Sequence, residues 1–288
     1  GRSLMNKKVK KNILIAFSMI LFVFFLFPFV LLIINSGKTS DAIIDNAMTL
    51  PTNPLMFIDN IKEIFANTTV AYVTSFISSL IITIVSLIII VIASSMCAWA
   101  ILRNKRKLSY VILTMFLASM VVPFQVVMFP LVNWYRMVET FTGIGLLRTY
   151  SGIILAYGGF GMALSVFLFH GFMKSIPVEL EEAAEIDGCN QFQIFFKVVF
   201  PILRPITVTV SILNGIWIWN DFLLPIQILG GGNKIQTLPI AMVNFIGSFV
   251  TQWNLVLTTA LLTILPVIVV YLILQKQIIK GMVAGAVK

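Results

Sequence analysis

The side chains that could do chemistry in this chain are few and concentrated. Five of its eleven acids, Glu179, Glu181, Glu182, Glu185 and Asp187, fall within residues 174–204, between very apolar runs. Pro177 suits the first turn of a helix, where a missing N–H costs nothing. Glu179, Glu181 and Glu182 follow in the early turns, where carboxylates favour the positive helix end. Asp187-Gly188 then reads as the stop, because glycine adopts the left-handed conformation without strain. A second helix is expected from about Asn190. There Phe192, Phe195, Phe196 and Val199 fall at i, i+3, i+4 and i+7 and predict one apolar face, closed by Pro201 and Pro205. The pattern predicts a helix–turn–helix from about Pro177 to Arg204, an element for a partner to grip. The plain alternative is a polar loop.

Bond chemistry is not expected of the chain. One histidine and two distant cysteines, Cys97 and Cys189, cannot assemble a metal site, nor do they suggest a disulfide framework. No GxxxxGK[ST] phosphate loop is present, so ATP is not expected to bind here in the usual way. No nucleophile–base–acid set is visible, and no cofactor is expected.

One acid, Asp221, and one imidazole, His170, lie inside long apolar runs. His170, three residues before Met173, reads as an interfacial residue. Asp221 lies 16 residues after Pro205, or about 24 Å along a helix. An acid within a membrane helix is a functional candidate. Asn214, Trp217 and Asp221 share a face at i, i+3 and i+7, with Asn220 beside them. Indole, amide and carboxylate together suit a sugar, whose C–H faces stack and whose hydroxyls hydrogen-bond. A polar clamp between helices with a tryptophan belt fits the same residues, and the two readings stay open.

The elements that must position these residues follow from composition. Hydrophobic residues are 59% and charged residues 11%, against about a quarter charged in soluble domains. The expected fold is all-α, a polytopic membrane helix bundle. Six apolar runs, Ile13–Asn35, Ala71–Leu102, Tyr110–Val132, Ser151–Met173, Ile206–Leu229 and Leu255–Leu274, can each cross a hydrocarbon core, which takes about 20 residues. The first run is too long for a cleavable signal and lacks a small-residue cleavage site. Gly1-Arg2-Ser3-Leu4 reads as a cloning remnant, leaving residues 5–288 as one membrane domain with the acidic loop at 174–204.

Fifteen of the twenty lysines and arginines fall on the side holding both termini and the Glu182 loop, and five, including Arg136, Arg148 and Lys234, on the other. Positive charge marks the cytoplasmic side, so both termini are expected there, in a cell membrane. The basic clusters are topology signals near anionic lipid, and no nucleic-acid partner is implied. On the outer side, the first segment carries Pro51, Pro54 and a short amphipathic piece around Phe57–Phe65. The last opens with Gly230-Gly231-Gly232-Asn233, read as flexible and long enough to reach a partner. Pro123, Pro130, Pro225 and Pro266 would kink or unwind helices, for packing or for gating. Gly158, Gly159 and Gly161 would let another helix approach closely.

The run Glu182-Ala183-Ala184, then Asp187-Gly188, Pro201 and Pro205, resembles the cytoplasmic "EAA" loop of ABC-importer permeases. Trp219-Asn220-Asp221-Phe222, the tail Gly281…Gly285-Ala286-Val287-Lys288, and Leu50-Pro51…Asn60…Phe65 look like the carbohydrate-importer permeases of the maltose and multiple-sugar type. The resemblance implies that Glu181, Glu182, Ala183, Ala184, Asp187 and Gly188 couple to a separate ATPase carrying ATP and Mg. It implies a second homologous permease, two ATPase subunits, an extracytoplasmic sugar-binding protein and a sugar substrate. It also implies that Gly230, Gly231, Gly232 and Asn233 touch the binding protein. The competing class is a secondary transporter or channel coupled to ions or protons. Such proteins usually carry several buried acids, which a single Asp221 does not supply. A membrane scaffold without transport would need neither kinked helices nor a polar face in mid-span.

Overall fold

A computed structural model describes residues 2–53, 55–104, 106–247 and 251–286, with side chains placed over 9–53, 55–104, 106–247 and 251–275. Gly1, Pro54, Val287 and Lys288, named above as remnant, loop or tail residues, lie outside the described residues. Among those described, the chain is helical, with one isolated bridge between Ile246 and Thr251. In order the helices are α1 (Arg2–Ser36), α2 (Ser40–Asp45), α3 (Met56–Ala66), α4 (Tyr72–Arg103), α5 (Lys107–Ser119), α6 (Phe124–Thr142) and α7 (Tyr150–Met173). They continue with α8 (Glu179–Ile186), α9 (Gln191–Gln193), a π segment (Ile194–Val199), α10 (Phe200–Ile202), α11 (Arg204–Asn220), α12 (Leu223–Ile228), α13 (Leu238–Val243) and α14 (Trp253–Ala286).

Four spans are long and apolar enough to cross a membrane unbroken: Val9–Ser36, Tyr72–Arg103, Tyr150–Met173 and Trp253–Gln275. They match the first, second, fourth and sixth expected runs to within a few residues. The other two expected spans are not continuous. Tyr110–Val132 is interrupted between α5 and α6, which meet at 109°. Pro123, the extended N-cap of α6 (φ −62°, ψ 135°), stands at the break, and a proline disfavours helical backbone at the residue before it. Ile206–Leu229 becomes α11, preceded by a 78° bend and ending at Asn220, with Asp221 extended (φ −74°, ψ 133°) before α12.

Two compact units divide the chain. One comprises Gly1–Tyr72 and Ala241–Pro266. In it, a continuous run of large apolar side chains on α1, Phe17 to Phe29 among them, stays exposed, as suits a surface whose solvent is hydrocarbon. The turn after α1 is closed by hydrogen bonds. Asn60 on α3 donates to the Ser36 and Lys38 carbonyls at 2.9 and 3.1 Å, and Asn254 donates to Asn60 at 2.8 Å. Thr258 donates to the Ser36 carbonyl at 3.1 Å, and the buried Lys38 ammonium reaches the Asn46 carbonyl at 3.1 Å. Buried polar groups must be paired in this way. The expected amphipathic piece at Phe57–Phe65 is α3.

The second unit comprises Val73–Ile240 and Val267–Lys288. Its core is built by α4, α7, α11 and the π segment around Ile90, Tyr157, Phe169, Phe195, Leu203 and Val210. Of the three glycines expected to permit close approach, Gly161 does so: a Cβ there would meet Ile90 at 2.5 Å and the Asn214 oxygen at 2.9 Å. Gly158 would make only an ordinary contact and Gly159 none. The close approach belongs to one residue, because only its position on α7 faces α4 and α11 together.

Candidate functional site

The acidic stretch folds as a hairpin. Its first helix, α8, starts at Glu179 with Val178 as N-cap, so Pro177 stands just outside rather than in the first turn. Gly188 has φ +82°, the left-handed geometry expected of it, and Cys189 N–H bonds back to the Ala184 carbonyl at 3.0 Å. The second arm begins with a complete capping box: the Asn190 side chain accepts from Gln193 N–H, and the Gln193 side chain accepts from Asn190 N–H, both at 2.9 Å.

The second arm departs from the expected face. Ile194, Phe195 and Val199 are buried, whereas Phe192 and Phe196 are exposed. The π segment is the reason. Its i→i+5 bonds widen the turn, so Ile194, five residues before Val199, joins Phe195 and Val199 on the buried side while Phe196 is turned out. Pro201 does not end this arm, which runs on to Ile202. The ladder has already slipped, with Phe200 N–H on the Phe195 carbonyl, just before the residue that has no N–H to give.

Glu181 turns inward. It is 8% exposed, and both carboxylate oxygens are engaged. Arg103, the last residue of α4, donates through Nε at 2.9 Å and Nη2 at 2.6 Å to Oε1, while the Trp99 indole donates to Oε2 at 2.9 Å. Removing one member of a fully buried pair costs about 3–5 kcal/mol, because the other charge is stranded; here the Arg103 side chain is 26% exposed and water offsets part of that cost. Trp99 also packs on Phe195, ring centroids 5.4 Å apart, so a single turn of α4 touches both arms. Glu182, Ala183, Asp187 and Gly188 are exposed and Ala184 is buried. Beside them Ile186 is 87% exposed and Phe192 68%. The outward surface is therefore an acidic rim with large apolar tips. Sequence reading missed Arg103, Trp99 and Ile186. Arg103 had served only as a topology charge, although Trp99 and Arg103 stand four apart on one helix face.

The second constellation lies at the end of α11. Asn214 donates to Ser165 Oγ of α7 at 3.0 Å and to the Val210 carbonyl at 2.9 Å, and it is buried. Tyr157 of α7 donates its O–H to Asp221 Oδ2 at 3.1 Å and meets Trp217 edge-on at 5.3 Å. Asp221 Oδ1 accepts Leu223 N–H at 3.0 Å, an Asx turn that ends α11 and starts α12. Asn220 is exposed and bonds only the Ile216 carbonyl, at 2.8 Å. A cleft of about 790 Å³ opens beside this face. Trp134, Phe160, Asn214 and Trp217 line it; Asn220 and Asp221 do not. Of the three residues expected on one face, Asn214 and Trp217 line the cleft, and the break at α11's end takes Asp221 away from it.

In the third region, Gly230 and Gly232 take φ +76° and +69°, and Gly231 is exposed. The end of the segment is anchored at Asn233. Asn233 donates to the Arg148 and Leu229 carbonyls, both at 3.2 Å, and Arg148 N–H donates to Ile228 at 2.8 Å. Long-range partners of this kind leave no trace in local composition. No group of three or more His, Cys, Asp or Glu that could hold a metal occurs among the described residues.

The fold is thus a helical membrane bundle that carries an anchored acidic hairpin and an aromatic cleft. The family profile of the "binding-protein-dependent transport system inner membrane component" matches residues 90–283, and the chain belongs to that family. It is accordingly a multi-pass inner-membrane permease subunit of an ABC-type transport complex, and ATP hydrolysis falls to another chain. Among its relatives, a protein described as probable starch degradation products transport system permease AmyC, from Thermoanaerobacterium thermosulfurigenes, is 39% identical over 97% of this chain and 98% of its own. The multiple sugar-binding transport system permease MsmG of Streptococcus mutans is 33% identical over 91% and 92%. The melibiose/raffinose/stachyose import permease MelC of Bacillus subtilis is 40% identical over 74% and 75%. In structure, the chain resembles a bacterial ABC transporter involved in import of the acidic polysaccharide alginate. The TM-score is 0.78 at 21% identity, covering 94% of this chain and 97% of that one.

Proposed function

We propose that the chain is one of two permeases in an importer of sugars, chiefly oligosaccharides, working with a homologous permease, two ATPase copies and an extracytoplasmic sugar-binding protein. The observation that carries the reading is likeness over nearly the whole chain to permeases named for starch products and multiple sugars. Residues 5–288 act as one permease domain; the family match, residues 90–283, runs through both compact units. The hairpin is the coupling element. Glu182, Ala183, Asp187 and Gly188 form its contact surface with the ATPase, supplemented by Ile186 and Phe192, while Glu181 and Ala184 hold it to the bundle from inside. The lysine and arginine distribution puts this hairpin and both termini in the cytoplasm. Trp217 supplies a stacking wall of the pathway. Asn214 and Asp221 fix the helix that carries it, and Asn220 stands exposed one residue before the break. Gly230–Asn233 meets the binding protein, its backbone held in shape by Asn233.

Reconstitution of the chain with its genomic neighbours in vesicles, with labelled malto- and galacto-oligosaccharides and a peptide control, tests the proposal. ATP-dependent uptake of an oligosaccharide is expected. Uptake of the peptide alone would overturn the sugar assignment, and ion-driven uptake without the ATPase would overturn the coupling assignment. Reporter fusions at either end decide the orientation.

A further inference from the structure

We propose that Arg103, Trp99 and Glu181 form a rigid joint through which displacement of the hairpin is handed to α4, making Arg103 and Trp99 positioning residues for coupled transport. The inference rests on the docking role of the hairpin and adds the route by which movement leaves it.

Three observations carry it. First, Glu181 is buried, and Arg103 and Trp99 engage both of its oxygens, three bonds against about four lone-pair sites, so little of it is open to a partner protein. Its carboxylate therefore serves the interior side of α8 while its neighbour Glu182 faces out. Second, the two donors stand four residues apart on α4 and hold both arms. The Arg103 fork takes Glu181 and reaches the Ile176 carbonyl at 3.4 Å, and the Trp99 ring lies on Phe195. A guanidinium fork fixes orientation as well as distance, which a lysine ammonium does not. The hairpin can thus neither slide nor pivot on α4 without breaking charge-assisted bonds. Third, α4 is a 32-residue helix, about 48 Å long. A tilt imposed at Arg103 is carried along that whole length. Its Ile90 meets the close approach at Gly161, beside Asn214, which lines the cleft. The joint therefore links the gripped surface to the helices around the cleft through packed, rigid elements, a contiguous route that can carry coupling.

The test uses the complete reconstituted complex carrying Arg103→Lys, Trp99→Phe or Glu181→Gln. Arg103→Lys keeps the charge and Trp99→Phe keeps the ring, so both are suited to assembly. The quantities read are ATPase co-purification, ATP hydrolysis stimulated by loaded binding protein, and sugar taken up per ATP hydrolysed. The ATPase copies are expected to co-purify and hydrolyse ATP, while uptake per ATP falls about fivefold or more, a common size for coupling between sites. A joint that only supports the fold would lower the yield or the melting temperature of the complex and leave uptake per ATP unchanged; that result would overturn the proposal. Failure of the ATPase to co-purify with the unaltered chain would overturn the docking role itself, a distinct outcome.

Discussion

The turn at Gly188 and the break at Asp221 both interrupt helices, yet they are held by opposite means. The Gly188 turn is made locally: a left-handed glycine, a backbone bond from Cys189 to Ala184, and a capping box between Asn190 and Gln193. It is fastened to the rest of the unit by the Arg103–Glu181 ion pair, the Trp99 indole and the buried side chains of Ile194, Phe195 and Val199. The Asp221 break is made at long range. Its carboxylate takes a phenol hydrogen from Tyr157, 64 residues earlier in the chain, and uses its other oxygen for Leu223. The first interruption sets the shape of a surface, and the second sets the direction of a helix end. A substitution at the turn should therefore act on what the hairpin binds, and one at the break on how α7 and α11 stay together.

The largest expected effect is at the turn. Gly188→Pro forces φ from +82° toward about −65°, which the hairpin cannot accommodate. Transport should fall to background and the ATPase should be lost from the purified complex, while membrane insertion is unchanged. Glu182→Lys should do the same by reversing a charge on the exposed rim. Normal assembly and transport in both variants would remove the docking assignment.

At the break, Asp221→Ala should lower the stability of the complex by about 1–3 kcal/mol, because the buried Tyr157 hydroxyl loses its acceptor. Asp221→Asn keeps one carbonyl oxygen for the Leu223 N–H and sets its NH2 against the Tyr157 hydroxyl, which can turn to accept, so it should lose markedly less. Thermal melting of the purified complex measures both. Equal losses would mean that charge, rather than hydrogen bonding, holds the break.

Trp217→Ala should leave yield nearly intact and reduce uptake severalfold, since the edge-on contact with Tyr157 is worth only about 0.5–1.5 kcal/mol beyond burial. Loss of complex with normal uptake per complex would make Trp217 part of the clamp rather than of the pathway wall. The smallest effect is expected outside both regions. Deleting Gly230 and Gly231 should cut binding-protein-dependent uptake in part, with basal ATP hydrolysis unchanged. Full uptake after the deletion would rule out contact with the binding protein there.

The same contrast explains what could be read from the sequence. Four spans, the Gly188 stop and the Asn190 start rest on hydrophobic length, glycine and capping, all of which act within a few residues. The interruption of the third span had its signal in Pro123, but composition alone gives no angle. The buried role of Glu181 was hidden, because its partners Trp99 and Arg103 lie about 80 residues away and an acid in an acidic run looks like its neighbours. The π segment was hidden for another reason: the phenylalanine spacing satisfies an α-helical face, and only the slipped ladder before Pro201 assigns Phe192 and Phe196 to the outside. The division of Asn214, Trp217, Asn220 and Asp221 could not be seen while α11 was taken to run through Asp221.

The capping box at Asn190 and Gln193 has one more consequence. Both of its bonds lie within four residues, so the start of the second arm holds its shape without help from any other chain. A protein that grips the hairpin meets a preorganised object, and little conformational entropy is left to lose at that moment, where each immobilised side chain would otherwise cost about 0.5–1.5 kcal/mol. Binding free energy not consumed in ordering the handle remains available to move it.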